Sequence, residues 1–284
     1  MFKSCCFKTL IFVIIVVMFL CACSCSMINR NNSFHSPYGV FLGASPEDLE
    51  YMKSYETIVI DGQLFSRADV SELKEAGHTL LSYINVGSIE EYRPYYDEYS
   101  EYTLDVYENW EDERWVDVTA PEWQWFVVHE LAEDFRKKGF DGVFVDNLDV
   151  YYHYPSEEAF KAITVMLIAF KDLGFYVSIN GGDVFVTEYL ERFGSADGVF
   201  DAVNQETVFS KIIWDEKDKF VEQDSAEREY FQEYLEMVHE NGIDVYMLEY
   251  TKDKRLTRKI YKYCKEKGYR YYVSGTLNLD AGEC

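Results

Sequence analysis

The sequence predicts a single (β/α)8 TIM barrel of the α/β class over residues 38–284, and three observations carry that expectation. Short apolar runs alternate with amphipathic stretches from Tyr38 to Val273, the rhythm of repeated parallel βα units. About 250 residues remain once an unusual N-terminal segment is set aside, a length that suits an eightfold barrel. Many of the apolar runs stop on Asp, Asn or Glu, residue types that such barrels gather at the carboxyl ends of their strands.

The N-terminal segment reads as an export signal. Lys3 and Lys8 precede an unbroken apolar run from Leu10 to Leu20, the layout of a secretory signal and too short for a membrane-spanning helix. Leu20-Cys21-Ala22-Cys23 looks like a bacterial lipobox. It predicts a signal peptide over residues 1–22, a lipid on Cys23 and a tether over residues 23–37. Cys25 is a second candidate in a poorer context, and an ordinary signal peptide with incidental cysteines would share these features. The expected location is outside the cytoplasm, either held to the membrane by the lipid alone or secreted.

Five of the seven cysteines lie in that segment, leaving Cys264 and Cys284. Two are too few for a disulfide framework, so the domain relies on its own core. The formal charge is −24. Such a chain repels nucleic acid, which is not expected as a partner, and concentrates cationic ligands; solubility alone also explains acidic surfaces. Aromatic residues reach 17%, with 24 tyrosines, which suits stacking on sugars and ordinary packing alike.

Taken in order, Tyr38 to Leu42, Thr57 to Ile60 and His78 to Ile84 read as the first three strands. Ser66 caps and Gly77 ends the helix before the third. Residues 89 to 113 break the rhythm, with six tyrosines, Trp110 and many carboxylates around a single base, Arg93. The segment reads either as a loop over the strand ends or as a surface helix whose tyrosines pack on the barrel. Arg114 to Val118 reads as a strand, and Pro121 to Lys138 as a helix. Phe140 to Val145, Phe175 to Ile179, Gly198 to Val203, Asp244 to Leu248 and Tyr269 to Val273 complete nine candidate strands, one more than a barrel needs. A helix capped by Ser156 and ended by Gly174 separates two of them, and a second insertion spans Val208 to Asp224.

No GxGxxG or GxxxxGK[ST] follows a strand, so neither a dinucleotide nor ATP is expected and no cofactor is assigned. The five histidines are scattered, without zinc spacing. Neither a calcium loop nor a GxSxG elbow is present.

The chemistry centres on Gly139 to Tyr154, GFDGVFVDNLDVYYHY. Asp146, Asn147 and Asp149 arrive where its apolar run stops. Capping of the next helix would account for one such residue. The pattern recurs, however, at Asp61, Asn85, Asn180, Glu206 and Glu249. In a parallel barrel these positions share one mouth, and paired carboxylates there suit glycoside hydrolysis.

The segments YGVFLG, TIVIDG, SYINVGS with Glu91-Tyr92-Arg93, GFDGVFVDNLDVY, VNQET and MLEY resemble glycoside hydrolase family 114, the endo-α-1,4-polygalactosaminidases. The resemblance spans about Tyr38 to Val273, and its most specific element is the Asp-Gly-Val…Asp-Asn-x-Asp pattern. It implies a retaining Asp/Glu pair that falls on Asp146 as nucleophile and Glu206 as general acid/base, with Asp149 the rival for the first role. Asp61, Asn85, Asp149, Tyr151, Asn180 and Glu249 would hold the sugar or shape the field. The implied substrate is a polysaccharide, and a cationic aminosugar polymer would suit the acidic chain. Glu206 is followed by Thr207-Val208 where the family often has a Gln-Cys type sequence, which leaves the substrate open. The alternative is a lipid-anchored barrel that binds glycans without cutting them.

Overall fold

In the computed structural model, which describes residues 34–282, eight strands form one sheet with every neighbouring pair parallel. They are β1 (Ser36–Phe41), β2 (Tyr55–Ile60), β3 (Thr79–Asn85), β7 (Gly142–Asp146), β8 (Tyr176–Asn180), β9 (Ala202–Glu206), β12 (Asp244–Tyr250) and β13 (Arg270–Ser274), in that spatial order. The first and last approach each other across the seam, where the rings of Phe41 and Tyr272 lie 5.2 Å apart. The sheet is therefore wrapped into a (β/α)8 TIM barrel. The expected signal peptide, Cys23, Cys25 and Cys284 lie outside the described residues. The domain begins slightly earlier than expected, since Ser36 and Pro37 already belong to β1.

Of the nine candidate strands, Arg114 to Val118 is the surplus one. Residues Glu113–Val116 form β6 of a separate antiparallel sheet, between β4 (Ser88–Glu90) and β5 (Thr103–Val106). The first insertion is thus a small sheet rather than a bare loop or a surface helix. Its aromatic residues serve both expected purposes. Tyr99 stacks on Phe126 at 4.4 Å on the packing side, while Tyr92, Tyr107 and Trp110 line the barrel mouth. The second insertion folds into a hairpin of β10 (Ser210–Ile212) and β11 (Phe220–Glu222).

The helices follow their sequence signals. Ser66 accepts from the Asp69 N–H, and Gly77 ends that helix at φ 98°, a left-handed conformation that costs glycine little. Ser156 caps the helix Glu157–Asp172 by accepting from Ala159. The expected helix over 121–138 is continuous, with a π-helical turn at Val127–Ala132.

Strand boundaries decide what faces the mouth. The expected run Gly198 to Val203 becomes a strand only at Ala202, so Asn204, Gln205 and Glu206 lie within β9. Asp146, Asn180 and Glu206 are each the last residue of their strand. Register places Asn85 opposite Asp146 and Asn180 opposite Asn204. Glu206 lies two residues beyond Asn204 and so shares its inward face.

Candidate active site

A cavity of about 580 Å³ opens at these strand ends, with Asp146, Asn180 and Glu206 in its wall. The Asn180 amide group donates to Asp146 Oδ1 at 2.7 Å and to Glu206 Oε1 at 2.8 Å. One nitrogen therefore ties the two carboxylates together. Their bonded oxygens stand no further apart than these two bonds laid end to end. The Tyr250 hydroxyl donates to the other Glu206 oxygen at 2.8 Å.

The direction of the Asn180 amide is itself determined. Asn204 donates to Asn180 Oδ1 at 2.6 Å, and Tyr38 donates to Asn204 Oδ1 at 3.0 Å. Tyr38 and Asn204 are both fully buried, so the chain runs through the barrel interior, where an unmatched polar group is costly. With its oxygen committed to Asn204, Asn180 turns both N–H bonds to the carboxylates.

Burial is the leading influence on the acids. It pushes Asp146 up to about 6, against hydrogen bonds from Asn180, the Asn147 N–H and Tyr83. Burial and the neighbouring Asp146 charge push Glu206 up to about 7. Asp149 also rises to about 7, through burial and the Asp183 carboxylate. Asp149 lines the cavity and accepts from the Gly182 N–H at 3.2 Å. Asn180 therefore bridges Asp146, and not Asp149, to Glu206.

A further part of the wall comes from the first insertion. Arg93 is buried and forms a two-point bond to Glu90, at 2.8 and 3.1 Å, and a third bond to Asp61 at 2.7 Å. All three residues line the cavity. Glu113, on β6, accepts from Asn85, Ser88 and Asn147, and burial pushes it up to about 7. Asn147 reaches that cluster in a left-handed conformation, φ 63°. A Cβ on Gly87 would meet its carbonyl oxygen at 1.8 Å, so the close approach requires glycine there.

Asp61, Asp146, Asp149, Asn180 and Glu206 thus converge on one cavity. Three expected sugar contacts do not. Asn85 is covered by Asn147 and spends its side chain on Ser88 and Glu113. Tyr151 points into the helix layer, against Phe160 and Phe185, and donates to Glu188 at 2.7 Å. Glu249 is fully buried behind the mouth, accepting from the N–H groups of Phe209 and Ser210 and from the Ser210 hydroxyl. Alternation along β12 sends Glu249 outward and its neighbour Tyr250 inward. Among the described residues, no group of three or more His, Cys, Asp or Glu side chains could hold a metal ion.

The profile of glycoside-hydrolase family GH114 matches residues 30–283. The chain belongs to this family. It is similar to the uncharacterized protein MJ1477 of Methanocaldococcus jannaschii, with 24% identity over 229 residues, 74% of this chain and 65% of that protein. The chain thus spans under two thirds of that relative's length. Among solved structures, the glycoside hydrolase domain of PelA from Pseudomonas aeruginosa superposes with a TM-score of 0.72 at 21% identity, covering 88% of this chain and 98% of that one. Aspergillus fumigatus Ega3, solved in complex with galactosamine, gives 0.69 at 14% identity, covering 88% and 96%. The barrel is the shared frame, and the cavity with its Asn180 bridge occupies the mouth of that barrel in this chain.

Proposed function

We propose that this GH114 chain is a retaining glycosidase that cuts an aminosugar polymer internally, with Asp146 as nucleophile and Glu206 as general acid/base. The observation that carries the proposal is the single Asn180 amide group bonded to both carboxylates. An inverting pair holds its carboxyl groups roughly 6.5–9.5 Å apart to admit a water, a retaining pair roughly 5–5.5 Å. Oxygens bonded to one nitrogen at 2.7 and 2.8 Å fall on the retaining side.

The proton positions suit those roles. With Asp146 held up to about 6 and Glu206 to about 7, the state with Asp146 ionised and Glu206 protonated is populated between the two. Asp146 then attacks the anomeric carbon while Glu206 protonates the departing oxygen. The resulting glycosyl ester is cleaved by a water that Glu206, now ionised, deprotonates.

The lining also favours an amine-bearing sugar. Asp61, Glu90, Asp112, Glu113, Asp146, Asp149, Asp183 and Glu206 face one cation, Arg93, which is already engaged by Asp61 and Glu90. The remaining field attracts an ammonium group. Export and a lipid anchor on Cys23 belong to the same proposal and rest on the N-terminal sequence. Cys23→Ser should release the protein from the membrane fraction.

The deciding experiment supplies partly deacetylated poly-α-1,4-galactosamine and follows new reducing ends and the anomer formed first. Oligosaccharides released with retained configuration by wild type, and not by Glu206→Gln, support the proposal. An inverted first product would sink the assigned mechanism. No release by folded protein would favour another glycan or binding without cleavage.

A further inference from the structure

Trp110 and Trp214 are large aromatic side chains that the catalytic scheme leaves unused. Trp110 sits in the turn between β5 and β6, Trp214 in the turn between β10 and β11. Both line the cavity, and they remain 37% and 45% exposed. Their rings meet edge to face, 6.0 Å apart at 77°.

Topology makes this contact a bridge. The first insertion follows β3, third in the barrel order, and the hairpin follows β9, sixth in that order. Between them stand β7 and β8, which end in Asp146 and Asn180. The contact therefore joins two sides of the mouth across the strands that carry Asp146 and the Asn180 bridge. The hairpin is steadied at its far end, where Asp218 accepts from the Leu277 N–H at 2.9 Å. It is steadied again where the turn rejoins β11, by Phe220 on Tyr250, with ring centroids 5.6 Å apart.

An edge-to-face pair uses the face of only one ring, so an indole face is left over beside the cavity. Burial elsewhere would hide that face, as it does for Trp115 and Trp123. Indole presents a broad apolar surface, which matches the C–H face of a pyranose. A joined pair contributed by the two insertions is suited to a sugar away from the cleaved bond, since Asp146 and Glu206 stand on the barrel strands themselves. We propose that Trp110 and Trp214 form an aromatic clasp that stacks on a ring of the polymer outside the cleavage point, so that the enzyme grips several sugars at once. The clasp rests on the glycosidase reading and adds to it a subsite built by the two insertions.

The test compares full-length wild type with Trp110→Ala, Trp214→Ala, Trp214→Phe and Trp125→Ala on partly deacetylated poly-α-1,4-galactosamine. Trp125 is 55% exposed and lies against His129, away from the cavity, so its variant serves as the surface control. Each cavity alanine should raise KM by roughly tenfold, with the loss falling in KM rather than in kcat. Phenylalanine at 214 should recover most of it, and Trp125→Ala should keep the wild-type KM. Unchanged KM in both cavity alanine variants would overturn the clasp while leaving the glycosidase reading standing. If wild type does not cleave this polymer, the aminosugar-polymer reading fails, and indole fluorescence titrated with galactosamine oligosaccharides then decides the clasp. Quenching lost in Trp110→Ala supports it, and no quenching in wild type overturns it.

Discussion

Asn204 donates its side-chain amide to Asn180 Oδ1 at 2.6 Å, and neither residue is a carboxylate. This bond decides which end of Asn180 faces the acids. Asn204→Leu removes it, leaving Asn180 free to turn its oxygen toward Asp146 and Glu206. The expected result is a kcat lower by about 100-fold with KM little changed, since small displacements of reacting groups carry such penalties. Tyr38→Phe, which removes only the outer donor, should have a much smaller effect. Steady-state kinetics on both variants check the order.

The pH profile should be bell-shaped and narrow. Its acid limb reports the requirement for ionised Asp146, near 6, and its basic limb the requirement for protonated Glu206, near 7. Because the Asp146 charge raises Glu206, the two titrate as a pair with shared apparent values. Asn180 donates to both ionised forms, and removing such a donor raises an acid. In Asn180→Ala both limbs should therefore move to higher pH. A profile that loses height without moving would assign Asn180 a purely structural role.

Nucleophile and acid can be told apart chemically. Asp146→Gly should be inactive until azide is added, which replaces the missing nucleophile and leaves as a glycosyl azide. Glu206→Gln should retain turnover of aryl glycosides whose leaving group needs no proton, while losing at least about 100-fold on the polymer. Asp149→Asn should keep more activity than either. Azide rescue at position 149 instead of 146 would reverse the assignment.

The barrel was legible because its strands are continuous apolar runs bounded by Gly, Asn and Asp. Arg114 to Val118 mixes charged and apolar residues yet reads as one more strand, and its pairing partners, Ser88–Glu90 and Thr103–Val106, reveal that it belongs outside the barrel. Strand ends located Asp146, Asn180 and Glu206, but an end position does not fix a direction. Glu249 lies one residue out of phase, so Tyr250 took its place beside Glu206. Alternation of Tyr246, Leu248 and Tyr250 along β12 was the available signal. Glu90 and Glu113 were missed because the insertion returns them to the mouth through long-range pairing. Arg93 stood out as the single base among many carboxylates and as part of the Glu91-Tyr92-Arg93 segment, with nothing to show that it pairs with Asp61 and Glu90.

Arg93 predicts a stability effect separate from catalysis. It is buried between Asp61 and Glu90, which are equally buried. Arg93→Met would leave two buried carboxylates without their counter-charge, a loss of about 3–5 kcal/mol. Adding Asp61→Asn and Glu90→Gln to that variant should recover part of the loss, because the unpaired charges are then gone. Chemical denaturation of the single and triple variants checks this, and an Arg93→Met melting curve identical to wild type would show that water reaches the cluster.

Stability as a whole should fall as pH rises from 5 to 8. Glu113, Asp149, Glu206 and Glu249 are each held up to about 7, and Asp146 to about 6, with burial the leading cause. Unfolded, these groups titrate near 4. Between those values the folded state binds more protons than the unfolded one. The stabilisation is thus full below the unfolded value and is lost as pH climbs through the folded values. The net charge of −24 pushes the same way through surface repulsion, and salt separates the two contributions. At about 0.5 M NaCl exposed charges are screened within a few ångströms, whereas buried groups are screened much less. Thermal melts at pH 5 and 8, with and without salt, should therefore retain most of the difference. A difference erased by salt would assign the pH dependence to the surface and not to the acids of the barrel mouth.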